Sequence, residues 1–355
     1  MLACENVDSR RSKSSSKRTA PSAICLAKVI AAIAFWMLAP TGAAAQTRVP
    51  ADLNYVIPSA QNPAPSASAR HFTQAEEARL LIERAVMSGV WGPPVHCLIG
   101  QEITVLDRRL HGSGLYARGR SGMGEMKMSL KIVAGDHLNI LDQVSDGRML
   151  HISQTIDGVR ECRRIDLGRV RESFGRFTEQ DRVDPLVALH LAIGGQNEKL
   201  RALCQQYNWV AVQPGKFSQP GRVGEIDVWW LRGERSKGHR ALRGLAEIDS
   251  LLEMADSVGL APDHVRIALG RTAPLQYWLY HVEETRRIKE EDKGASYDVV
   301  AKIDYYQPVV REMPEAMFDY DPEVYASSVE RMVDETRKYV PPARGSAVQT
   351  ASRRP

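Results

Sequence analysis

The feature that most constrains the fold is a series of segments in which apolar and polar residues alternate. In residues 125–132 the apolar members of this alternation are Met126, Met128, Leu130 and Ile132. Successive side chains of a β-strand point to opposite faces, so the pattern predicts a strand with one dry face and one wet face. Related segments at 99–106, 110–118, 137–145, 148–155 and 159–167 are joined by short, often glycine-containing connections. Short connections between consecutive strands predict an antiparallel meander.

Helical patterns precede and follow this meander. Thr73 and Glu76 form a capping-box sequence ahead of apolar residues at helical spacing, which predicts a helix ending at Gly89. Further helices are predicted at 166–175, 184–193, 197–206, 240–255 and 322–339, and further strands at 209–212, 223–231, 265–269, 275–282 and 297–306. We therefore predict an α+β fold: a large curved antiparallel sheet, that is, a half-open, unclosed β-barrel, with helices covering its apolar concave face. Such a fold encloses an apolar cavity, which indicates a ligand.

The N-terminal region has the parts of an export signal. A basic, Ser-rich stretch at 10–18 precedes an apolar run at 29–40 and small residues at 43–45. The run is shorter than the roughly 20 residues that a membrane-spanning helix needs. We predict a signal peptide over residues 1–45, cleaved between Ala45 and Gln46, with an uncleaved anchor as the alternative. Residues 46–70 are predicted to be a disordered Pro/Ala/Ser-rich linker, residues 71–340 the folded domain, and residues 341–355 a disordered tail.

The net charge of +4 belongs to the predicted leader. Residues 1–45 hold six basic and two acidic side chains, which leaves 41 of each sign in the remainder. A balanced remainder lacks the cationic surface of a nucleic-acid-binding protein, so we expect no nucleic-acid partner. Three cysteines follow the leader, Cys97, Cys162 and Cys204, and at least one must be free because their number is odd. Burial as small hydrophobic residues is favoured, and whether any two are bridged stays open.

Sequence motifs for catalysis are absent. The nine histidines include no H-x-x-x-H pair, and the chain contains no G-x-S-x-G, no P-loop and no G-x-G-x-x-G after a strand. Two sets of carboxylates are interpreted as solvated charge rather than as acid/base pairs: Asp304 with Asp319 and Asp321, and Glu283 and Glu284 with Glu290 and Glu291. We therefore expect no enzymatic activity, no metal and no cofactor.

Two short segments resemble the periplasmic lipoprotein carriers LolA and LolB and the wider family that shares their fold. Residues 144–150 (VSDGRML) are similar to the family's strand–turn–strand segment, and Asp146-Gly147 is a hairpin signal in its own right. Residues 313–322 (MPEAMFDYDP) are similar to the family's closing motif. The order of elements agrees over about residues 73–322. Two departures are His151, where the family commonly has an aromatic residue, and residues 215–263, which look like an insertion.

This resemblance implies an open half-barrel whose mouth is plugged by helices and whose cavity holds lipoprotein acyl chains. It implies a periplasmic monomer that exchanges cargo with an envelope membrane complex. It also implies an arginine after the second or third strand that holds the helical lid, and Arg118 and Arg120 both lie near such a position. Considered without the resemblance, both arginines are interpreted as solvated hairpin charges.

The residues predicted to contact lipid are alternating apolar positions of the strands. They are Met126, Met128, Leu130, Ile132, Leu138, Ile140, Leu150, Ile152, Val265, Ile267, Ala301 and Ile303. We interpret the aromatic residues Trp278 and Tyr280 as part of the core rather than as ligand contacts. The prediction is an exported, non-enzymatic carrier or chaperone-like protein that binds an acyl chain of a lipoprotein or lipid. The alternatives are an envelope sensor or scaffold of the same fold that binds protein partners without transporting lipid, and a structural protein with a fully packed interior.

Overall fold

A single twelve-stranded sheet dominates the fold. The computed structural model describes residues 72–340 apart from 106–107, 121, 135, 157, 176–179, 222–223, 237–260, 290–294 and 322–330. In chain order the strands are β1 (Val95–Val105), β2 (Arg108–Arg118), β3 (Glu125–Ala134), β4 (His137–Asp146), β5 (Met149–Ile156), β6 (Val159–Asp166), β7 (Tyr207–Ser218), β8 (Glu225–Arg235), β9 (His264–Gly270), β10 (Leu279–Lys289), β11 (Ala295–Val310) and β12 (Arg331–Asp334). Their order in the sheet is β12-β6-β5-β4-β3-β2-β1-β11-β10-β9-β8-β7.

The sheet is open and almost entirely antiparallel, as predicted. Among the described strands, the two at the ends of the order, β12 and β7, are not paired with each other. The β12–β6 ladder is parallel, and the other ten ladders are antiparallel. The long β1–β11 pairing joins the N-terminal meander to the C-terminal strands. One sheet therefore contains both halves of the domain.

Side-chain contacts show how strongly the sheet curves at the β7 end. The Gln219 side chain, just past β7, donates a 2.8 Å hydrogen bond to the Tyr305 carbonyl of β11 and accepts a 3.1 Å bond from the Gln307 N–H. Three strands separate β7 from β11 in the sheet order. The β7–β8 hairpin must therefore curl back for its end to reach β11, as the tendency of large sheets to coil leads one to expect.

Four described α-helices accompany the sheet: α1 (Gln74–Trp91), α2 (Leu167–Glu172), α3 (Pro185–Leu191) and α4 (Gly195–Gln206). Helix α1 begins with the predicted capping box, in which Thr73 and Glu76 exchange hydrogen bonds with each other's backbone N–H. Its buried stripe includes Leu81, Ile82 and Val86. The helix packs along β7 and against α3 and α4, so the helices form a layer over one face of the sheet.

Several predicted boundaries differ from the structure. Strands β7 and β8 are longer than predicted, and residues 215–218 and 225–235 of the apparent insertion lie in them. Strand β10 begins at Leu279 rather than residue 275, because the Gly270 N–H donates to the Trp278 carbonyl and the Tyr277 N–H to that of Gly270, which closes a turn. The helix predicted at 322–339 is wrong over its described part. There β12 and a 3₁₀ turn (Thr336–Lys338) use the edge of β6 to satisfy their backbone.

Other predictions fall outside the described residues. These are the signal peptide with its cleavage between Ala45 and Gln46, the linker at 46–70, the tail at 341–355 and the helix at 240–255. They stay predictions from sequence.

Candidate functional site

The helix-covered face of the sheet collects most of the residues predicted to contact lipid. Cross-strand partners share a face, and the register joins Met128 to Tyr116, Leu130 to Leu141, and Ile267 to Val282. Ten of the twelve predicted residues are at most 4% exposed: Met126, Met128, Leu130, Ile132, Leu150, Ile152, Val265, Ile267, Ala301 and Ile303. All ten belong to one buried hydrophobic cluster, and we call their face of the sheet the apolar wall.

The structure places two residues of the predicted set, Leu138 and Ile140, on the other face of the sheet. The register pairs Leu138 with Val133 and Ile140 with Lys131, which places both on the convex face. Leu138 is 47% exposed. The alternation of β4 misled the prediction because both of its faces carry apolar side chains. The concave face takes Leu141 together with polar Asn139 and Gln143.

Helix α4 occupies the space over the apolar wall. Its first residue, Gly195, lies so close to Tyr116 of β2 and Met126 of β3 that an added Cβ would come within 2.5 Å and 2.6 Å of their side chains. Further along, Lys199 Nζ lies 2.8 Å from Glu284 of β10. The helix therefore crosses the concave face, and a cavity beside its first turns measures about 30 Å³. This space is far smaller than an acyl chain needs, so beside the first turns of α4 the described side chains leave no room for a ligand.

Helix α4 brings charged side chains into the interior. Glu198, Lys199 and Arg201 are at most 6% exposed. Glu284 receives the Lys199 ammonium and also a 2.9 Å hydrogen bond from the Tyr207 hydroxyl. Glu198 and Arg201 form an ion pair within the helix. A buried charge is costly unless it is paired, so these pairs allow a polar helix to pack among apolar side chains.

Arg118 holds the end of helix α1. Its guanidinium donates to the Ser88 and Gly89 carbonyls at 2.8 Å and to the Pro93 carbonyl at 2.9 Å. Carbonyls in the last turn of a helix lack intrahelical partners, and a cation there also complements the helix dipole. Burial lowers the pKa of Arg118, which is 5% exposed. The interpretation of this residue as a solvated charge is therefore wrong.

Arg120 differs from Arg118 in environment. Its side chain is 59% exposed and forms ion pairs with Glu125 and Glu315. Glu315 belongs to the closing segment that suggested the family resemblance, so this pair ties that segment to the β2–β3 turn. Of the two candidate lid arginines, only Arg118 contacts a helix of the cover among the described residues.

The carboxylates interpreted as solvated include two that are buried. Asp304 is 5% exposed and Glu284 is 1% exposed. Asp304 Oδ1 lies 2.6 Å from His281 Nδ1, and its Oδ2 accepts from the Tyr306 hydroxyl at 2.9 Å and lies 3.2 Å from Lys302 Nζ. Oδ1 therefore contacts the neighbouring strand β10, and Oδ2 contacts two side chains of β11 itself. Asp304 thus serves as a cross-strand tie on the face opposite the apolar wall.

The cysteines and the absence of metal clusters bear on the predicted chemistry. Cys97, Cys162 and Cys204 are free, and the first two are buried, as predicted for small hydrophobic residues. Burial raises the pKa of the Cys97 thiol well above its usual value, which disfavours the reactive thiolate. Within the described ranges, no group of three or more His, Cys, Asp or Glu side chains is placed to hold a metal ion. No helix in the same ranges is long and apolar enough to cross a membrane.

Three aromatic side chains meet in the wall beneath the start of α4. The rings of Tyr116, Tyr305 and Trp278 lie 6.1–6.2 Å apart, centroid to centroid. Sequence reasoning singled out Trp278 and missed the two tyrosines. Strand alternation was the available signal, because Tyr116 has the same parity as Leu110 and Tyr305 the same parity as Ile303. The tyrosines therefore belong to the same concave face.

Comparisons with known proteins give similarities at low identity. No family model and no curated protein matches the sequence. A crystal structure of a DUF1329 family protein from Desulfovibrio piger is similar at 12% identity and a TM-score of 0.28, over 70% of this chain and 98% of that one. MucB is similar at 11% identity and a TM-score of 0.30, over 70% of this chain and 64% of MucB. A LolA superfamily protein from Nitrosomonas europaea is similar at 11% identity and a TM-score of 0.25, over 71% of this chain and 99% of that one.

These solved structures include a member of the family that residues 144–150 and 313–322 resemble. At such identities and TM-scores the similarity adds nothing to the description of the site. The open, helix-covered sheet rests on the strand order and register of this chain itself.

Proposed function

We propose that the protein is exported to the periplasm and binds the acyl chain of a lipoprotein or lipid between the concave face and its helical cover. It acts there as a non-enzymatic carrier or chaperone-like monomer that exchanges cargo with an envelope membrane complex. The observation that carries the proposal is the apolar wall on the concave face, which is covered by helix α4 rather than by another sheet.

The energetics of exchange support this proposal. Moving an acyl chain out of water is favourable by about 0.8 kcal/mol per buried CH₂. The same wall is covered by α4 in the described conformation, where Gly195 lies against Tyr116 and Met126. A ligand therefore replaces one apolar partner of the wall by another. The Glu198–Arg201 pair can move intact with the helix, whereas the Lys199–Glu284 pair must separate.

The test is mass spectrometry of organic extracts from the mature protein, purified gently from its native envelope. A stoichiometric acylated species supports the proposal and identifies the cargo. An empty extract that stays empty after incubation with added lipid contradicts it.

A matched pair of variants locates the binding face. Leu130→Glu places a charge in the apolar wall, and we expect it to abolish acyl-chain uptake. Lys131→Glu changes the next residue, which points to the convex face and is exposed, so uptake should be unchanged. Equal uptake by both folded variants would remove Leu130 from the binding site.

The close packing of α4 on the apolar wall favours a second candidate function. An envelope sensor or scaffold needs no cavity and binds protein partners through its surface, without lipid transport. A reproducibly empty extract, together with a co-purified protein at fixed stoichiometry, would favour this candidate over the carrier.

A further inference from the structure

We infer that Tyr116, Tyr305 and Trp278 form a polar subsite in the apolar wall that receives the carbonyl group of a bound acyl compound. The inference rests on the proposed function, because it names the part of the ligand that enters the wall. The chemical class is an acyl ester, amide or acid, as opposed to a plain hydrocarbon chain.

The three residues are buried and close together. Tyr116 and Tyr305 are 0% exposed and Trp278 is 3% exposed. Tyr305 meets both other rings edge to face, at interplanar angles of 74° and 79°, and Tyr116 and Trp278 are tilted at 44°. Burial raises the pKa of Tyr116 to about 12, and burial with the neighbouring Tyr116 hydroxyl holds that of Tyr305 well above its usual range. Both hydroxyls are therefore protonated donors at neutral pH.

Their polar atoms have no hydrogen-bond partner among the described residues. This holds for the Tyr116 hydroxyl, the Tyr305 hydroxyl and the Trp278 indole Nε1. Buried polar groups are nearly always hydrogen-bonded, and each unpaired group destabilises the state that contains it. Three such atoms on rings whose centroids lie 6.1–6.2 Å apart make this part of the wall a cluster of unpaired polar groups.

The chemistry of the three groups selects the ligand. An indole N–H can only donate, and a phenol hydroxyl can donate to an acceptor that is brought to it. A carbonyl oxygen has two lone pairs and no hydrogen to offer, so it matches these donors. A methylene chain matches none of them. Aromatic faces around the carbonyl accommodate the methylenes that follow it.

The position of the triangle puts it in the path of a ligand. The first turn of α4 covers it, since an added Cβ on Gly195 would come within 2.5 Å of the Tyr116 ring. Displacing α4 therefore uncovers the triangle together with the apolar wall. In the closed state the donors are buried without acceptors, and in the ligand-bound state the carbonyl supplies one. The polar groups thus favour the bound state over the closed state.

The test compares two ligands of similar size on isosteric variants of the full mature chain. Displacement of the fluorescent probe N-phenylnaphthylamine gives the affinities of methyl laurate, an ester, and tridecane, which lacks a carbonyl. For Tyr116→Phe and Tyr305→Phe we expect the affinity for methyl laurate to fall about five- to tenfold each, and that for tridecane to stay unchanged. The melting temperature of each ligand-free variant should stay the same or rise, because an unpaired hydroxyl is removed.

Tyr207→Phe is the control for stability. Its hydroxyl is buried but donates to Glu284 at 2.9 Å, so its removal should lower the melting temperature. If Tyr116→Phe and Tyr305→Phe lower it likewise, the two hydroxyls have partners and the inference is overturned. It is also overturned if the variants bind both ligands as the unaltered protein does, or lose affinity for both equally. If the unaltered protein binds neither ligand, the proposed acyl-binding function itself fails.

Discussion

At the scale of single residues, Arg118 connects the first helix to the sheet. It reaches three backbone carbonyls at the end of α1 from the last position of β2, and its guanidinium also lies over the Trp278 ring at 5.4 Å. Hydrogen bonds to charged groups contribute more than neutral ones. Removing the guanidinium takes that donor from the Gly89 and Pro93 carbonyls, whereas the Ser88 carbonyl keeps the Gly92 N–H. The sheet and its cover are therefore coupled through one side chain.

We expect Arg118→Met to lower the free energy of unfolding by about 2–4 kcal/mol, because packing is retained while buried acceptors lose their donor. Arg120→Met, at an exposed ion pair two residues away, should lower it far less, because water screens exposed ion pairs. Urea denaturation of both variants measures the difference. Similar losses would show that the contacts of Arg118 with α1 contribute little.

Asp304 makes stability depend on acidity. Burial by itself would raise the pKa of this carboxyl, but the hydrogen bond and charge of His281, with Lys302 and Tyr306, outweigh burial and hold the pKa below its usual value. A carboxyl whose pKa is lowered by folding stabilises the protein above its unfolded pKa of about 3.9 and loses that contribution as pH falls through the folded value. We expect Asp304→Asn to be destabilised near neutral pH and to lose less stability than the unaltered protein on acidification.

Thermal unfolding from pH 6 to pH 2.5 would check this prediction. Asp319→Asn, at an exposed position, serves as the control and should follow the unaltered protein. If the melting temperature falls equally with pH in all three proteins, Asp304 does not contribute to the acid dependence of stability.

At the scale of elements, the C-terminal strand fastens the edge of the sheet and the helical cover together. β12 pairs in parallel with β6, and the Asp166 N–H donates to Thr336 Oγ1 at 2.8 Å just beyond it. Tyr339 follows, is 4% exposed and lies under the Arg201 guanidinium of α4 at 5.2 Å. A short parallel strand is a weak attachment by itself. The burial of Tyr339 against α4 adds a second attachment for the same segment.

The register of β12 provides a direct test, because Met332 lies opposite the free Cys162. Strands in a sheet are about 4.8 Å apart, a separation that a disulfide spans. We expect Met332→Cys to form a bridge with Cys162 on oxidation and to raise the free energy of unfolding by about 2–4 kcal/mol, reversibly with reductant. Met332→Ser, also at this 43% exposed site, should not respond to oxidation. Peptide mapping without a bridge between 162 and 332 would contradict this register.

At the scale of the whole molecule, the described structure is an open sheet whose concave face is covered by α4. The sheet itself is held by continuous backbone ladders, whereas α4 is attached by side chains from several elements, among them Gln143, Glu284 and Tyr339. Local opening usually begins where a segment is held by the fewest contacts, so we expect α4 to move while the sheet stays intact.

Hydrogen exchange tests this division. We expect excess methyl laurate to accelerate amide exchange in residues 195–206 and to leave exchange in β1–β4 unchanged, because the ligand takes the place of α4 on the wall. Slower exchange throughout, α4 included, would mean that a ligand binds without displacing the helix.

The sequence by itself determined the type of fold and most of the wall. Period-two alternation in residues 125–132 and short glycine turns fix antiparallel strands and the faces of Met126 to Ile132, because side-chain direction in a strand is a local property. The same local rule failed for Leu138 and Ile140, since both faces of β4 are partly apolar and only the register with Lys131 and Val133 separates them.

Only the tertiary structure decided what occupies the concave face and which charges are buried. Asp304, Glu284 and Arg118 look like ordinary surface charges in sequence, and their partners lie 23, 85 and about 30 residues away. The insertion of α4, the parallel attachment of β12 and the meeting of Tyr116 with Tyr305 depend likewise on contacts between distant segments. Such contacts form only when the sheet curves, and no local pattern of residues encodes them.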